Sequence, residues 1–399
     1  MMQTKDATKI ALPILIGLGL SHCLNDTIQS TITSIYPLLK SDLALSFAQI
    51  GLITLVNQLS ASICQPLVGL LFDKHPSPWA MPIGMLFTLT GIINISFAMT
   101  FEWVLFSVFF IGVGSAVLHP EASRLAHIAS GGRRGFAQSI FQVGGNFGYS
   151  FGPLLVAAFV APYGRSHFAL FSVICVIAIL VTIPIGKWYK RYLSTGAQTR
   201  TIKGSEGKMP LSMPKTILTL FVLFILIFSK FVYGESLGSY YTFYLIHKFG
   251  VTIQTSQLFL FVFFIAEAIG TMIGGPLGDK IGRKYVIWVS ILGTAPFSLA
   301  MPYAGLYSTL ALSFCAGLII SSAFAAIIIY AQELIPQKIG LVSGLFFGLG
   351  FGIAGVASAV LGCLTDKYGI DTVYKICAFM PLIGIVACFL PNIEKKKYR

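Results

Sequence analysis

Charge is scarce in this chain. Only 10% of its 399 residues are Asp, Glu, Lys or Arg, against roughly a quarter in a soluble domain. Acids are the scarcer sign, 14 against 27 basic residues, which leaves a formal net charge of +13. Such a deficit excludes an ordinary water-soluble domain, whose surface must be charged. Enzymic motifs are missing as well. No nucleophile–base cluster and no phosphate-cradling glycine loop is visible, and Gly274-Gly275 lies in an apolar run with no strand before it, which argues against dinucleotide binding. The seven cysteines, at 23, 64, 175, 315, 363, 377 and 388, form no CxxC pair and no His-rich cluster. Spacing therefore indicates no metal ion, no disulfide and no cofactor. With no charged ring or selectivity-type loop, a channel is equally unsupported. The chain reads as something other than an enzyme.

What fills it is apolar sequence: 56% hydrophobic residues and 33 phenylalanines, with a mean hydropathy of +0.83. A spanning helix needs about 20 mostly apolar residues. Twelve such runs can be traced, near residues 10–39, 47–72, 79–100, 103–128, 136–162, 168–188, 214–245, 255–278, 285–303, 306–331, 340–365 and 371–391. The first is too long for the apolar core of a signal peptide and is read as a span. One long hydrophilic interruption, Lys187 to Pro214, suits a basic linker (187–214) between a six-helix bundle at 1–186 and a second at 215–399. With both termini inside, cytoplasmic segments hold 21 of the 27 Lys and Arg residues, outer loops hold five, and Lys230 falls within a span. That imbalance fits the positive-inside rule. The net charge is spread over separate loops, so it signals topology and anionic lipid rather than nucleic acid.

Two halves are also signalled by a repeat. Gly275-Pro276-Leu277-Gly278-Asp279-Lys280-Ile281-Gly282-Arg283-Lys284 is echoed 206 residues upstream by Gly69-Leu70-Leu71-Phe72-Asp73-Lys74, each between apolar runs. Internal repeats in so hydrophobic a chain mark a transporter. Twelve spans, a basic central loop and these two signatures resemble the major facilitator superfamily. The resemblance extends over nearly the whole chain to the bacterial fosmidomycin-resistance exporters, through Ser21-His22-Cys23-Leu24-Asn25-Asp26, the stretch from Ala129 to Gly148, Tyr240 to Tyr244, and Tyr330 to Pro336. It implies an all-α membrane protein of two pseudo-symmetric six-helix bundles in the bacterial inner membrane. It further implies export of a drug or other small amphiphile against protons; the chain is expected to act as a monomer, with the linker and both termini cytoplasmic as the charge asymmetry indicates. An importer of a small organic anion on the same fold is the competing expectation.

Ionisable groups within spans are costly and therefore candidates for function. In helix 1, His22, Asn25, Asp26 and Gln29 follow the i, i+3, i+4, i+7 pattern of one helix face. Asp26 is the expected proton carrier, with His22 one turn away; the alternative is a hydrated wall. In helix 4, Glu121 and Arg124 can pair at i, i+3 beside Pro120, which should kink the helix. The resemblance implies a coupling role for them, while a brace from Arg124 to Asp73 remains open. Lys230 and Glu235 in helix 7 and Glu267 in helix 8, with Asn25 and Gln29, are expected to line the substrate cavity. Glu333 is expected to pair with Arg283 or Lys338. Tyr240, Tyr241, Phe243 and Tyr244 read as an interfacial aromatic belt. Gly69, Asp73, Lys74, Gly275, Asp279, Lys280 and Arg283 form the expected conformational latch, with glycines supplying tight turns. Finally, Gly144, Gly148, Gly152 and Pro153 of helix 5 and Gly348 and Gly352 of helix 11 are expected to allow close helix packing between the two halves.

Overall fold

The computed structural model describes residues 10–194, 209–335 and 339–393, and every regular element among them is helical. Contacts divide the chain into two compact units, residues 1–200 and 201–399. The first holds α1 (Leu12–Ser34), α2 (Phe47–Lys74), α3 (Ala80–Phe97), α4 (Phe101–Ala129), α5 (Arg134–Phe159) and α6 (Ser172–Ser194). The second holds α7 (Met213–Phe249), α8 (Ile253–Ile281), α9 (Arg283–Leu292, continued to Tyr303), α10 (Leu306–Leu334), α11 (Ile339–Tyr368) and α12 (Ile370–Cys377, continued in tighter 3₁₀ geometry through Met380–Phe389).

Ten of these segments are long and apolar enough to cross a bilayer. The other two, α1 and α5, have span length at 23 and 26 residues but carry more polar and glycine residues. They pack on each other. A Cβ on Gly144, Gly148 or Gly152 of α5 would lie 2.0–2.1 Å from Gly19 O, Cys23 O or Ser30 Oγ of α1, so only glycine lets the two backbones meet. Thr27 Oγ1 adds a bond across the seam to the Gly148 carbonyl, 3.0 Å. Large apolar side chains elsewhere, among them Ile63, Leu67, Phe106, Leu180, Phe221 and Val289, are exposed as a lipid-facing surface requires.

Helix starts follow local rules. Ser46 and Gln49 form a reciprocal capping box at α2, and Thr100 and Thr252 cap α4 and α8. Gly250, with φ of 63°, ends α7 in the left-handed conformation. In the second unit, Gly270 and Gly274 of α8 meet the α10 backbone at Leu318 and Ser322. Val222, Leu226, Ile287, Ile291, Ala323 and Ile327 join α7, α9 and α10 in a buried core.

Several sequence expectations need correction. The first span is not one helix: α1 ends at Ser34, and a short helix, Tyr36–Asp42, restarts with Pro37 near its N-terminus, where proline is tolerated. The linker does not begin at Lys187, because α6 carries Lys187, Lys190 and Arg191 as helix through Ser194. Lys and Arg are good helix formers, so the helix outlasts its apolar run. The two signature segments are not loops either. Gly69–Lys74 completes α2, and Gly275–Ile281 completes α8. Only Gly282, with φ of 99°, makes the turn into α9.

The tyrosines of α7 form no interfacial belt. Tyr240, Tyr241 and Tyr244 are at most 1% exposed. Tyr240 donates to the Ser358 carbonyl (2.6 Å), Tyr241 to Ser313 Oγ (3.1 Å), and Tyr244 stacks on Tyr374 at 3.8 Å. They hold the second unit together, since a buried phenol must find an acceptor.

Candidate functional site

The polar stripe of α1 forms a site with α4 and α5. Asp26 is its centre. His22 Nε2 stands 3.1 Å from Asp26 Oδ2, and His119 Nε2, from α4, stands 3.3 Å from Asp26 Oδ1. Asn25 Nδ2 donates to Asp26 Oδ1 at 3.0 Å. The imidazoles meet edge to face, with centroids 4.9 Å apart.

The far side of each ring is fixed by backbone. His22 Nδ1 is 2.7 Å from the Phe141 carbonyl, and His119 Nδ1 is 2.9 Å from the Ser115 carbonyl. A carbonyl oxygen only accepts, so both Nδ1 atoms carry the hydrogen. In the neutral ring Nε2 would then turn a lone pair toward a carboxylate. Each Nε2–oxygen gap consequently calls for a proton or another cation.

Position is enforced by packing. The His22 ring stacks on Phe141 at 3.9 Å. It also lies over Gly145, where a Cβ would come within 2.3 Å of His22 Cε1. Thus α5 meets α1 through Gly144, Gly148 and Gly152 and makes room for the histidine through Gly145. The side chains of His22, Asp26 and His119 are 6%, 17% and 22% exposed.

The remaining expected residues divide into separate groups. Gln29 donates to the Ile111 carbonyl of α4 at 3.3 Å. Glu121 and Arg124 form the expected pair, with Arg124 Nη2 at 2.7 and 2.8 Å from the two carboxylate oxygens and Nε at 3.1 Å from one. Arg124 also lies over the Tyr189 ring of α6, 5.1 Å from its centroid. α4 remains helical through Pro120. In the second unit, Lys230 Nζ sits 4.9 Å from the Phe231 centroid and 5.4 Å from that of Phe324. Its charge interacts with Glu267, which accepts from Ser321 at 2.9 Å. Glu235 accepts from Ser239 on the same helix.

Of the expected latch, Arg283 Nη1 pairs with Glu333 Oε1 at 2.5 Å, Lys280 is exposed, and a Cβ on Gly69 would meet nothing within 4 Å among the described residues. The side chains of Asp73, Lys74 and Asp279, the burial of Gly275, and Lys338 lie outside the described residues. A Cβ on Gly348 or Gly352 would likewise meet nothing within 4 Å among the described residues, whereas the α5 glycines pack within their own unit on α1.

His119 was missed as a site residue, although an ionisable residue within a span was the signal. Local spacing also gave no metal-ligand set. Yet one ligand atom from each of His22, Asp26 and His119 lies within 4.8 Å of the others, because the fold joins residues 93 positions apart.

Residues 18–243 and 219–399 match the Major Facilitator Superfamily. The chain is 54% identical to the fosmidomycin resistance protein of Escherichia coli (strain K12) over 386 residues, 96% of this chain and 94% of that protein. It is 39% identical to YfnC, an uncharacterized MFS-type transporter of Bacillus subtilis (strain 168), over 96% of this chain and 94% of the relative. Its fold resembles the inward-facing, occupied crystal structure of a bacterial homolog of the human lysosomal transporter Spinster, with a TM-score of 0.73, 16% identity and 94% of both chains covered. On these matches, and with ten helices among the described residues long and apolar enough to span, the chain belongs to the Major Facilitator Superfamily and is a multi-pass membrane transporter.

Proposed function

We propose that the protein exports small toxic compounds, with a fosmidomycin-like phosphonate as cargo, from the cytoplasm across the bacterial inner membrane in exchange for protons. The direction and the cargo class rest on the 54% identity to a resistance protein over nearly the full length of both chains. Coupling rests on one observation: two imidazole Nε2 atoms, one from α1 and one from α4, face a single carboxylate at 3.1 and 3.3 Å within the first unit.

Asp26 is the proton carrier in this reading, and His22 and His119 share its proton. Proton entry and exit then change the charge of a sparsely hydrated centre, and a buried charge is expensive enough to bias one conformation over another. Glu121 and Arg124 hold the part of α4 that carries His119. Lys230, flanked by Phe231 and Phe324 and balanced by Glu267, supplies positive charge for an anionic cargo, with Glu235, Asn25 and Gln29 on the substrate path. Gly69, Asp73, Lys74, Gly275, Asp279, Lys280 and Arg283 latch one conformation of the alternating-access cycle. The working unit is a monomer with the basic linker that follows Ser194, and both termini, in the cytoplasm.

Direction is the first test. Cells expressing the protein should hold less phosphonate and tolerate more of it than cells expressing an Asp26→Asn variant. Greater phosphonate uptake on expression would favour the importer and overturn this reading.

A further inference from the structure

We infer that His22, Asp26 and His119 form a binding site for a divalent transition-metal ion of zinc-like preference. Two imidazole nitrogens and one carboxylate are a donor set that suits Zn²⁺, Co²⁺ or Ni²⁺ and disfavours Mg²⁺ and Ca²⁺, which prefer oxygen alone. The spacing fits as well. Zinc–nitrogen and zinc–oxygen bonds of about 2.0–2.2 Å arranged tetrahedrally separate neighbouring donors by roughly 3.3 Å. His22 Nε2 lies 3.1 Å from Asp26 Oδ2 and His119 Nε2 lies 3.3 Å from the other oxygen, Oδ1, so each imidazole meets one carboxylate oxygen at that separation. All three donor atoms fall within 4.8 Å of one another.

The surrounding bonds have the pattern that prepares histidine for a metal. Ligating imidazoles usually donate their second ring nitrogen to a carbonyl or carboxylate, which fixes the tautomer and aims the other lone pair. Here both rings do so, His22 to the Phe141 carbonyl and His119 to that of Ser115. Stacking on Phe141 and the space over Gly145 hold His22 in place. A second observation points to a ligand. The buried Asn25 Oδ1 has no hydrogen-bond partner among the described residues, while the same amide bonds Asp26. Three protein donors leave a fourth tetrahedral position for water, whose hydrogen that oxygen can accept. The ion occupies the lone pairs that the coupling proton uses, so it also arrests coupled export. That consequence alone rests on the proton reading.

The test is Co²⁺ titration of full-length, detergent-purified protein with its purification tag removed. One equivalent is expected to give the visible band of tetrahedral cobalt, and Zn²⁺ is expected to abolish it. His119→Ala and His119→Asn should each weaken binding by about 100-fold or more, since even outer-shell changes cost 10–100-fold. His119→Asn keeps a polar side chain at the site should the alanine variant fail to fold. His167→Ala, on a residue outside the cluster, should bind as wild type does. Zn²⁺ should raise the melting temperature of wild-type protein and leave that of His119→Asn unchanged. Absence of the tetrahedral band, or equal affinity in wild type and His119→Asn, would overturn the site. Because no transport is measured, such a failure leaves the proton reading standing. Loss of gradient-driven transport in Asp26→Asn likewise does not by itself establish the metal.

Discussion

His119 Nε2 on α4 lies 3.3 Å from Asp26 Oδ1 on α1, and the remaining ring nitrogen of His119 is held by the backbone of its own helix at Ser115. The histidine therefore faces the acid in a fixed orientation, without a flexible tether. In the proposed function, that geometry lets a proton be shared between α1 and α4 with no side-chain rearrangement.

Replacing His119 by Asn should keep the helix intact and remove the second proton site. Gradient-driven export is expected to fall by about 100-fold, the range lost when a positioned proton-transfer group is removed. The melting temperature should hardly move. Export assayed beside thermal unfolding checks this; equal losses in both would make His119 a packing residue.

Gly148→Ala places a methyl carbon 2.1 Å from the Cys23 carbonyl oxygen. α1 and α5 must separate, at roughly 1–3 kcal/mol for overpacking, and the melting temperature in detergent should drop. Gly348→Ala, whose added carbon would meet nothing within 4 Å among the described residues, should leave it unchanged or slightly higher, because alanine is the better helix former. If the two variants melt alike, the α1–α5 seam is not where the glycines matter.

How much of this was legible in the sequence depends on the range of the interaction. Glu121–Arg124 and the α1 stripe follow helix periodicity, so both could be read directly. The two-unit, all-helical plan followed from apolar runs and the repeated signature. His119 could not be joined to Asp26, since no local pattern links residues 93 positions apart on separate helices. The glycines of α5 were legible as packing residues, but their partner was not: a row of small residues states that a backbone comes close without stating which one. The α7 tyrosines misled for a related reason. Aromatic clusters near a helix end serve a membrane interface or a packed interior equally well, and only the acceptors at Ser358 and Ser313 decide between them.

Glu121→Gln removes the carboxylate that pairs with Arg124 among the described residues, and Glu121 is only 3% exposed. Breaking a buried pair costs about 3–5 kcal/mol when both charges are fully buried. The Arg124 side chain is 26% exposed, so about 1–3 kcal/mol is the better expectation. Thermal unfolding of Glu121→Gln against the double variant Glu121→Gln/Arg124→Met measures it. The double variant should recover part of the loss, and no recovery would show that the pair is not the source.

Lys230→Met should weaken recognition of anionic cargo. Loss of a charged hydrogen bond is worth about 1.5–3 kcal/mol, or roughly 10–150-fold in affinity. Lys230→Arg should retain part of it. Competition by a phosphonate, compared with a neutral compound of similar size, separates loss of charge recognition from general damage. An equal decline for both competitors would remove Lys230 from the cargo site.

The most direct measurement is cargo movement in liposomes containing purified protein, with and without an imposed pH gradient, for wild type and Asp26→Asn. Wild type should accumulate cargo against its concentration gradient only when protons flow the opposite way. Asp26→Asn should still exchange cargo down its own gradient but should build no accumulation from the pH difference. Wild-type accumulation by Asp26→Asn, or accumulation by wild type without a proton gradient, would contradict a proton site at Asp26.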